Sequence, residues 1–376
     1  MSNRREFLKD LASATAGLFF VSCGLERIAY GAQLPPASGK RREVSIKGRR
    51  VLTVDVHAHC YSLDVWTLIQ DRKESGLMRN ILDRQGPDFY LDNGDIQDRI
   101  KQMDALGMDV QALSPAPELH YWAERDLVER IVQLENENIA VVCSKHPDRF
   151  VGIGGLALQF PDLAVAQLEN GVKKLGMRGF VMGGSVNGDE LSDAKFHPVW
   201  AKAEELGTML FIHPRGFPEG EKRLRGNGYL TNVIGNPLET TVALSHLIFD
   251  GTLDRFPNLK ICGYHGGGFL PSYIGRSDHC ADNNRADCKP VKKRPSEYLK
   301  QLYFDSIVFN GEGLRHLVAA AGASQVLLGT DYPTPMATPR PIDHVLDAPG
   351  LTDAERIAIL GGNAAKLLRI QSEPRQ

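Results

Sequence analysis

The sequence predicts an α/β protein of the (β/α)8 TIM-barrel type, on three observations. Eight short apolar runs follow residue 50, longer helical stretches alternate with them, and 376 residues leave ample room for such a barrel, which takes roughly 250 residues. The runs are 52–57 (LTVDVH), 109–114 (DVQALS), 150–155 (FVGIGG), 178–182 (RGFVM), 208–213 (TMLFIH), 259–264 (LKICGY), 302–307 (LYFDSI) and 325–330 (QVLLGT). Each is nearly continuous in apolar residues, which suits strands of a parallel sheet buried on both faces. Helical spacing is plainest over 95–106, 125–146 and 161–175. Strand and helix in regular alternation require a parallel sheet, and eight units close it into a barrel. An open doubly wound sheet is the competing architecture, but no GxGxxG turn follows any of the runs. Asn236-Pro237 and Asn363 read as helix starts, with an N-cap side chain and, at the first, proline in the opening position.

Composition narrows the function. At 42% hydrophobic and 24% charged residues the chain is globular rather than disordered. Forty-four Lys and Arg against 46 Asp and Glu leave a net charge of −2, without the basic excess of a nucleic-acid binder. No apolar run reaches the 18 or so residues of a membrane-spanning helix. The cysteines are Cys23, Cys60, Cys143, Cys262, Cys280 and Cys288; no CxxC occurs, which argues against a cysteine-based zinc knuckle. In an exported protein Cys280 and Cys288 either pair or remain thiols.

Residues 1–32 read as a twin-arginine-type signal peptide. Arg4 and Arg5 precede Glu6-Phe7-Leu8-Lys9, and a modestly apolar stretch runs from Leu11 to Ser22. The expected destination is the periplasm, by way of the twin-arginine export machinery. Two processing sites compete. Val21-Ser22-Cys23-Gly24 resembles a lipoprotein box that would anchor the chain through Cys23, whereas Ala29-Tyr30-Gly31 offers small residues for ordinary cleavage. Residues 33–50, Pro-rich and then basic, read as a linker, and 51–370 as the barrel domain.

In barrels of this type the chemistry lies at the carboxyl ends of the strands. The first run closes on Asp55-Val56-His57-Ala58-His59, and the fifth on Phe211-Ile212-His213-Pro214. The sixth leads into Tyr264-His265-Gly266-Gly267-Gly268, and the eighth into Gly329-Thr330-Asp331-Tyr332-Pro333. Residues two apart on an extended chain point the same way, so His57 and His59 both face into the barrel. With His213 and Asp331 they form an imidazole and carboxylate set suited to Zn2+ or another borderline divalent ion. A lone histidine at a strand end is more often structural than a ligand; convergence at one end of three strands is what makes this set a metal site. His146, His197, His246 and His316 sit in turn or helical contexts and are assigned no chemistry. Gly183-Gly184-Ser185-Val186-Asn187 lacks the final glycine of a serine-hydrolase elbow, and no Walker sequence is present.

Several further motifs accompany these strand ends: Arg99-Ile100-Lys101-Gln102-Met103-Asp104, Arg149-Phe150-Val151-Gly152, Gly235-Asn236-Pro237-Leu238-Glu239 and Gly362-Asn363-Ala364-Ala365. Together they resemble the metal-dependent amidohydrolase superfamily over about residues 51–370, and within it the aminocarboxymuconate-semialdehyde decarboxylase group. The resemblance implies one metal, usually zinc, bound by His57, His59, His213 and Asp331. It implies His265 as general acid/base beside the metal-bound water, with Asp331 also part of the catalytic centre. Arg276, in Tyr273-Ile274-Gly275-Arg276, matches an arginine that holds a substrate carboxylate. The fourth strand ends Phe180-Val181-Met182-Gly183 without the carbamylated lysine of two-metal relatives, so a single ion is expected. Arg215 follows His213-Pro214 where the decarboxylases tend to carry an aromatic residue and an acid, and is expected to bind a different acid. The glycines after His265 are expected to let substrate approach its ring. A homodimer is also implied.

The favoured reading is a non-oxidative decarboxylase of an unsaturated or aromatic carboxylic acid. A hydrolase of a lactone, amide or ester at the same metal is the alternative, and a non-catalytic metal-binding barrel the third reading. For the leader, replacing Arg4 and Arg5 by lysine is expected to leave an unprocessed precursor in the cytoplasm, as read by fractionation and immunoblotting. Undiminished delivery to the periplasm would refute the twin-arginine reading.

Overall fold

The computed structural model describes residues 41–371, apart from 77, 78, 80–90, 92–95, 116, 284–287, 289 and 290. The expectations for Arg4, Arg5 and Cys23 lie outside the described residues. Eight parallel strands form one sheet: β1 (Val54–Cys60), β2 (Val110–Pro115), β3 (Phe150–Gly154), β4 (Gly179–Met182), β5 (Met209–Ile212), β6 (Lys260–Gly263), β7 (Tyr303–Asp305) and β8 (Val326–Leu327). They pair in sequence order from β1 to β8, as expected when each strand returns through a helix. The main helices are α1 (Ile96–Leu106), α2 (Arg125–Lys145), α3 (Pro161–Lys173), α4 (His197–Leu206), α5 (Asn236–Phe249), α6 (Leu270–Asp282), α7 (Gly311–Ala321) and α8 (Asn363–Leu367).

The sheet closes beyond the last strand. The Val56 N–H donates to Leu328 O at 2.9 Å, Asp331 N–H to His57 O at 2.8 Å and His59 N–H to Tyr332 O at 2.7 Å, with a parallel bridge between Ala58 and Tyr332. Closure leaves no open edge, which is why apolar runs buried on both faces are stable here. The pairing of β1 with β2 shifts between Asp55 and Ala58, placing an irregularity beside His57.

Differences from expectation concern boundaries. β1 begins two residues later than the first apolar run and extends to Cys60, so His57 and His59 lie within the strand. Residues 41–50 are not a free linker. Ser45–Ile46 pairs with Arg49–Arg50, Val44 and Ile46 are buried, and Arg41 and Arg42 pair with Asp109 and Asp343. Asn236 and Asn363 are not N-caps, because π-helical turns, Thr231–Gly235 and Ala358–Gly362, run directly into α5 and α8. Their side chains tie the chain elsewhere: Asn236 Oδ1 accepts from Gly216 N–H, and Asn363 Nδ2 donates to Ala323 O and Val326 O. Cys280 carries a free thiol, so the pairing with Cys288 is not made.

The turn before α8 packs against the chain leading into β1, and its Ile359 O accepts from Leu328 N–H at 3.0 Å. A Cβ on Gly361 would lie 2.3 Å from Leu52 O and 2.8 Å from Leu52 C, and backbone cannot yield as a flexible side chain does. Gly361→Ala is therefore expected to destabilise the fold by about 1–3 kcal/mol, the usual range for overpacking. Denaturant unfolding measures this, and an unchanged midpoint would contradict the close approach.

Candidate metal centre and active site

Strand order brings the sequence-predicted histidines to one point. His57 and His59 come from β1. His213 follows β5, its N–H bound to Met182 O at 2.8 Å. Beyond β6 the chain turns at His265–Gly267, and Asp331 is held by its hydrogen bond to the His57 carbonyl. His265 and Asp331 both adopt positive φ, 54° and 62°, a conformation that non-glycine residues keep only when surrounding contacts enforce it.

The protein fixes one ring nitrogen of each of three histidines. His57 Nδ1 meets Asp305 Oδ2 at 2.7 Å, His59 Nδ1 meets Pro115 O at 3.2 Å and His213 Nδ1 meets Pro214 O at 2.8 Å. Protonated Nδ1 positions are the tautomer these acceptors select, and they leave the Nε2 lone pairs for a metal. The Nε2 atoms of His57 and His59 are 3.1 Å apart. Both lie beside Asp331 Oδ1, at 3.3 and 3.1 Å. His213 Nε2 is buried with no hydrogen-bond partner. One donor atom from each of His57, His213, His265 and Asp331 lies within 4.8 Å of the others. Imidazole nitrogens and a carboxylate gathered around one point, one of them without any partner in the protein, are a donor set that fits a divalent metal.

Asp305 and Asp55 are the functional residues that the sequence reading missed. Asp305, fully buried, orients His57 and also accepts from His265 N–H and Gly266 N–H at 3.0 and 2.9 Å. Its only sequence signal was its place near the end of a predicted strand. Asp55 accepts from His57 N–H, Gln111 Nε2, Thr330 N–H and Thr330 Oγ1. Burial pushes its carboxyl up to about 6 despite these bonds. Tyr264 stacks on His57 with ring centroids 3.5 Å apart and donates to Val56 O at 2.7 Å.

A cavity of about 360 Å³ opens above this cluster, lined among others by Glu118, His213, Arg215, His265 and Asp331. That volume suits a ligand of one aromatic ring, near the lower end of small-molecule sites. Arg215 belongs to the cavity and donates to Glu118 Oε2 at 2.8 Å. Arg276 is not among the residues that line it and is exposed on α6. The glycines after His265 also serve differently from expectation. A Cβ would lie 2.5 Å from Val308 at Gly266, 2.5 Å from Phe304 at Gly267 and 2.1 Å from Pro237 O at Gly268. They permit tight packing of the turn behind His265, rather than clearing a path for substrate.

Electrostatics around the cluster couple metal to protons. Burial works to lower His57, but Asp331 and Asp305 outweigh it and push the imidazole up to about 9. Burial and the neighbouring imidazoles hold His213 well below its ordinary value. Burial works to raise Asp331, yet His57, His265 and His59 hold it well below the usual carboxylate range. In the metal-free protein His57 therefore holds a second proton, on Nε2, at neutral pH, and a cation must displace it. Metal affinity is expected to strengthen with rising pH, by up to about tenfold per unit, and to level off above the raised His57 pKa. Competition titrations against a chelator at several pH values measure this. An affinity flat between pH 6 and 8 would contradict it.

Comparison with known proteins agrees with this geometry. The amidohydrolase family model matches residues 54–370. The chain is 36% identical over 273 residues to 2-amino-3-carboxymuconate-6-semialdehyde decarboxylase of Dictyostelium discoideum, covering 72% of this chain and 75% of that protein. It superposes on 5-carboxyvanillate decarboxylase from Sphingomonas paucimobilis with a TM-score of 0.77 and 26% identity, over 85% of this chain and 100% of the other. A dihydroxybenzoic acid decarboxylase from Polaromonas sp. JS666, solved with bound manganese and 2-nitroresorcinol, matches with a TM-score of 0.72 and 25% identity, over 85% and 97% of the two chains. With its histidine and aspartate metal centre at the mouth of a parallel barrel, the chain belongs to the amidohydrolase family.

Proposed function

We propose that this enzyme is a metal-dependent carboxy-lyase that removes carbon dioxide from an aromatic or unsaturated carboxylic acid without oxidation. The observation that carries the reading is the cavity itself. It joins the metal-binding cluster, a cavity-facing histidine and an arginine in a space sized for one ring. His57, His59, His213 and Asp331 are the proposed ligands of one divalent ion. Zinc suits this imidazole and carboxylate set, and manganese is the ion bound in the Polaromonas decarboxylase. When bound, the cation supplies a Lewis acid that polarises a substrate oxygen.

The chain's own residues do the rest. His265 is the proposed proton carrier. The side chains of His57 and His59 are fully buried, whereas that of His265 is 15% exposed and lines the cavity. Its Nε2 lies 3.5 Å from Asp331 Oδ2, which orients the ring. Non-oxidative decarboxylation adds a proton to the carbon bearing the carboxylate. The bond to that carboxylate then breaks, and its electron pair returns to the ring or double bond as carbon dioxide leaves. A positioned imidazole suits the proton transfer because its ordinary pKa lies near neutrality. Arg215 is the proposed substrate contact, its planar donors matching oxygen acceptors. The leader is proposed to deliver the enzyme to the periplasm, a reading that stands on residues 1–32 alone.

His265→Ala is expected to keep the metal while losing roughly 10²-fold to 10⁴-fold in turnover, the range for removal of a general acid/base. Metal analysis of the purified variant, paired with headspace carbon dioxide measurement on hydroxybenzoic and diene acids, tests it. Loss of metal would make His265 a ligand, and wild-type turnover would remove it from catalysis. Hydrolysis of lactones or esters with no carbon dioxide from any acid would replace the lyase reading with the hydrolase.

A further inference from the structure

We propose that the cavity selects acids carrying a single carboxylate over dicarboxylates, and that Glu118 sets this preference by neutralising Arg215. The inference rests on the carboxylic-acid reading above and deepens it to a substrate class.

Arg215 invites the opposite conclusion. An arginine beside a metal centre is the natural clamp for a second carboxylate, and the sequence alone marks Arg215 as a substrate contact for an acid. The structure places Glu118 against it. Glu118 follows β2, 97 residues away in sequence, and its Oε2 accepts from Arg215 Nη2 at 2.8 Å. The Glu118 side chain is 2% exposed, whereas that of Arg215 is 30% exposed. Both residues line the cavity together with His213, His265 and Asp331.

A charge pair at this distance presents little net field to a third group. A carboxylate approaching the guanidinium also approaches the Glu118 carboxylate, and like charges brought together at a desolvated site are disfavoured. The arginine's remaining donors still serve a neutral acceptor such as a hydroxyl, ether or carbonyl oxygen. Glu118 is held in place by burial of its side chain and by its bond to Arg215; its other oxygen, Oε1, is buried too. Among the described residues lining the cavity, no other lysine or arginine supplies an uncompensated positive charge. One carboxylate is therefore accommodated at the metal centre, and a second meets a neutralised wall.

The test uses calorimetric titration of the metal-loaded protein with 3-hydroxybenzoate and 5-hydroxyisophthalate, which differ by one carboxylate. Wild type is expected to bind the monoacid more tightly, by about tenfold or more. Glu118→Gln frees the arginine's charge and is expected to shift the ratio toward the diacid by roughly tenfold. The double variant Glu118→Gln with Arg215→Gln, in which the pair is neutral again, is expected to restore the wild-type order. That restoration separates charge from loss of shape. If Glu118→Gln does not fold, Arg215→Gln alone is expected to widen the preference for the monoacid, since it leaves Glu118 uncompensated. Wild-type preference for the diacid, or a ratio unmoved in these variants, would overturn the proposal while leaving the carboxy-lyase reading intact. Failure of wild type to bind either acid would overturn the aromatic-acid reading itself, and this inference with it.

Discussion

The site depends on one buried carboxylate, that of Asp55. It binds β1 to the segment after β8 through Thr330, with hydrogen bonds at 3.1 Å to the backbone N–H and 2.7 Å to the hydroxyl. It also binds the backbone of His57 and, through Gln111, strand β2. An isolated carboxylate in this environment would be costly, and burial raises its pKa to about 6, but four donors satisfy it. The barrel closes at that seam, and closure is what sets Asp331 beside His57 and His59. A second support lies one strand along. Arg99, buried, donates to Gln111 Oε1 at 2.7 Å and to the His59 carbonyl at 2.6 Å, fixing the backbone that carries the second histidine.

Around the metal centre, rigidity comes from buried polar groups behind the cavity wall, Asp305 among them. Asp305 orients His57 through its ring and the His265 turn through two backbone N–H groups, so a single carboxylate couples a proposed ligand to the proposed proton carrier. Such partners hold ligand geometry and raise the basicity of the imidazole they bind. The glycine turn behind His265 packs against Phe304, Val308 and Pro237 with no room for a Cβ. The positive φ of His265 is thereby enforced from behind, and strain is held where the chemistry needs a fixed ring. The cavity in front of it gains its character from the Arg215–Glu118 pair, which supplies hydrogen-bond donors without a strong local charge.

Much of this was legible in the sequence. Continuous apolar runs at regular spacing specify a closed parallel barrel, because a strand buried on both faces cannot carry the polar alternation of an exposed sheet. Polar residues at the ends of those runs point to one cluster, because strand ends of a barrel converge on one face. His57, His59, His213 and Asp331 could be singled out in this way from strand ends, His265 by its place after the sixth run together with the family resemblance, and the structure brings all five side chains together.

What the sequence left open depends on contacts between residues distant along the chain. Arg276, by resemblance, and Arg215, beside His213, were both read as substrate contacts, yet Arg276 is exposed on α6 and only Arg215 lines the cavity. Asp305 and Glu118 looked like ordinary acids, since an orienting role exists only once His57 or Arg215 is brought to within hydrogen-bond reach. Asn236 and Asn363 read as caps by local rules, while tertiary contacts continue the helix through each of them. Residue type and periodicity fix which side chains can do chemistry and which face of a strand they occupy. Only the closed barrel decides which charges meet, because electrostatic pairing depends on distance in space and leaves no periodic trace in the chain.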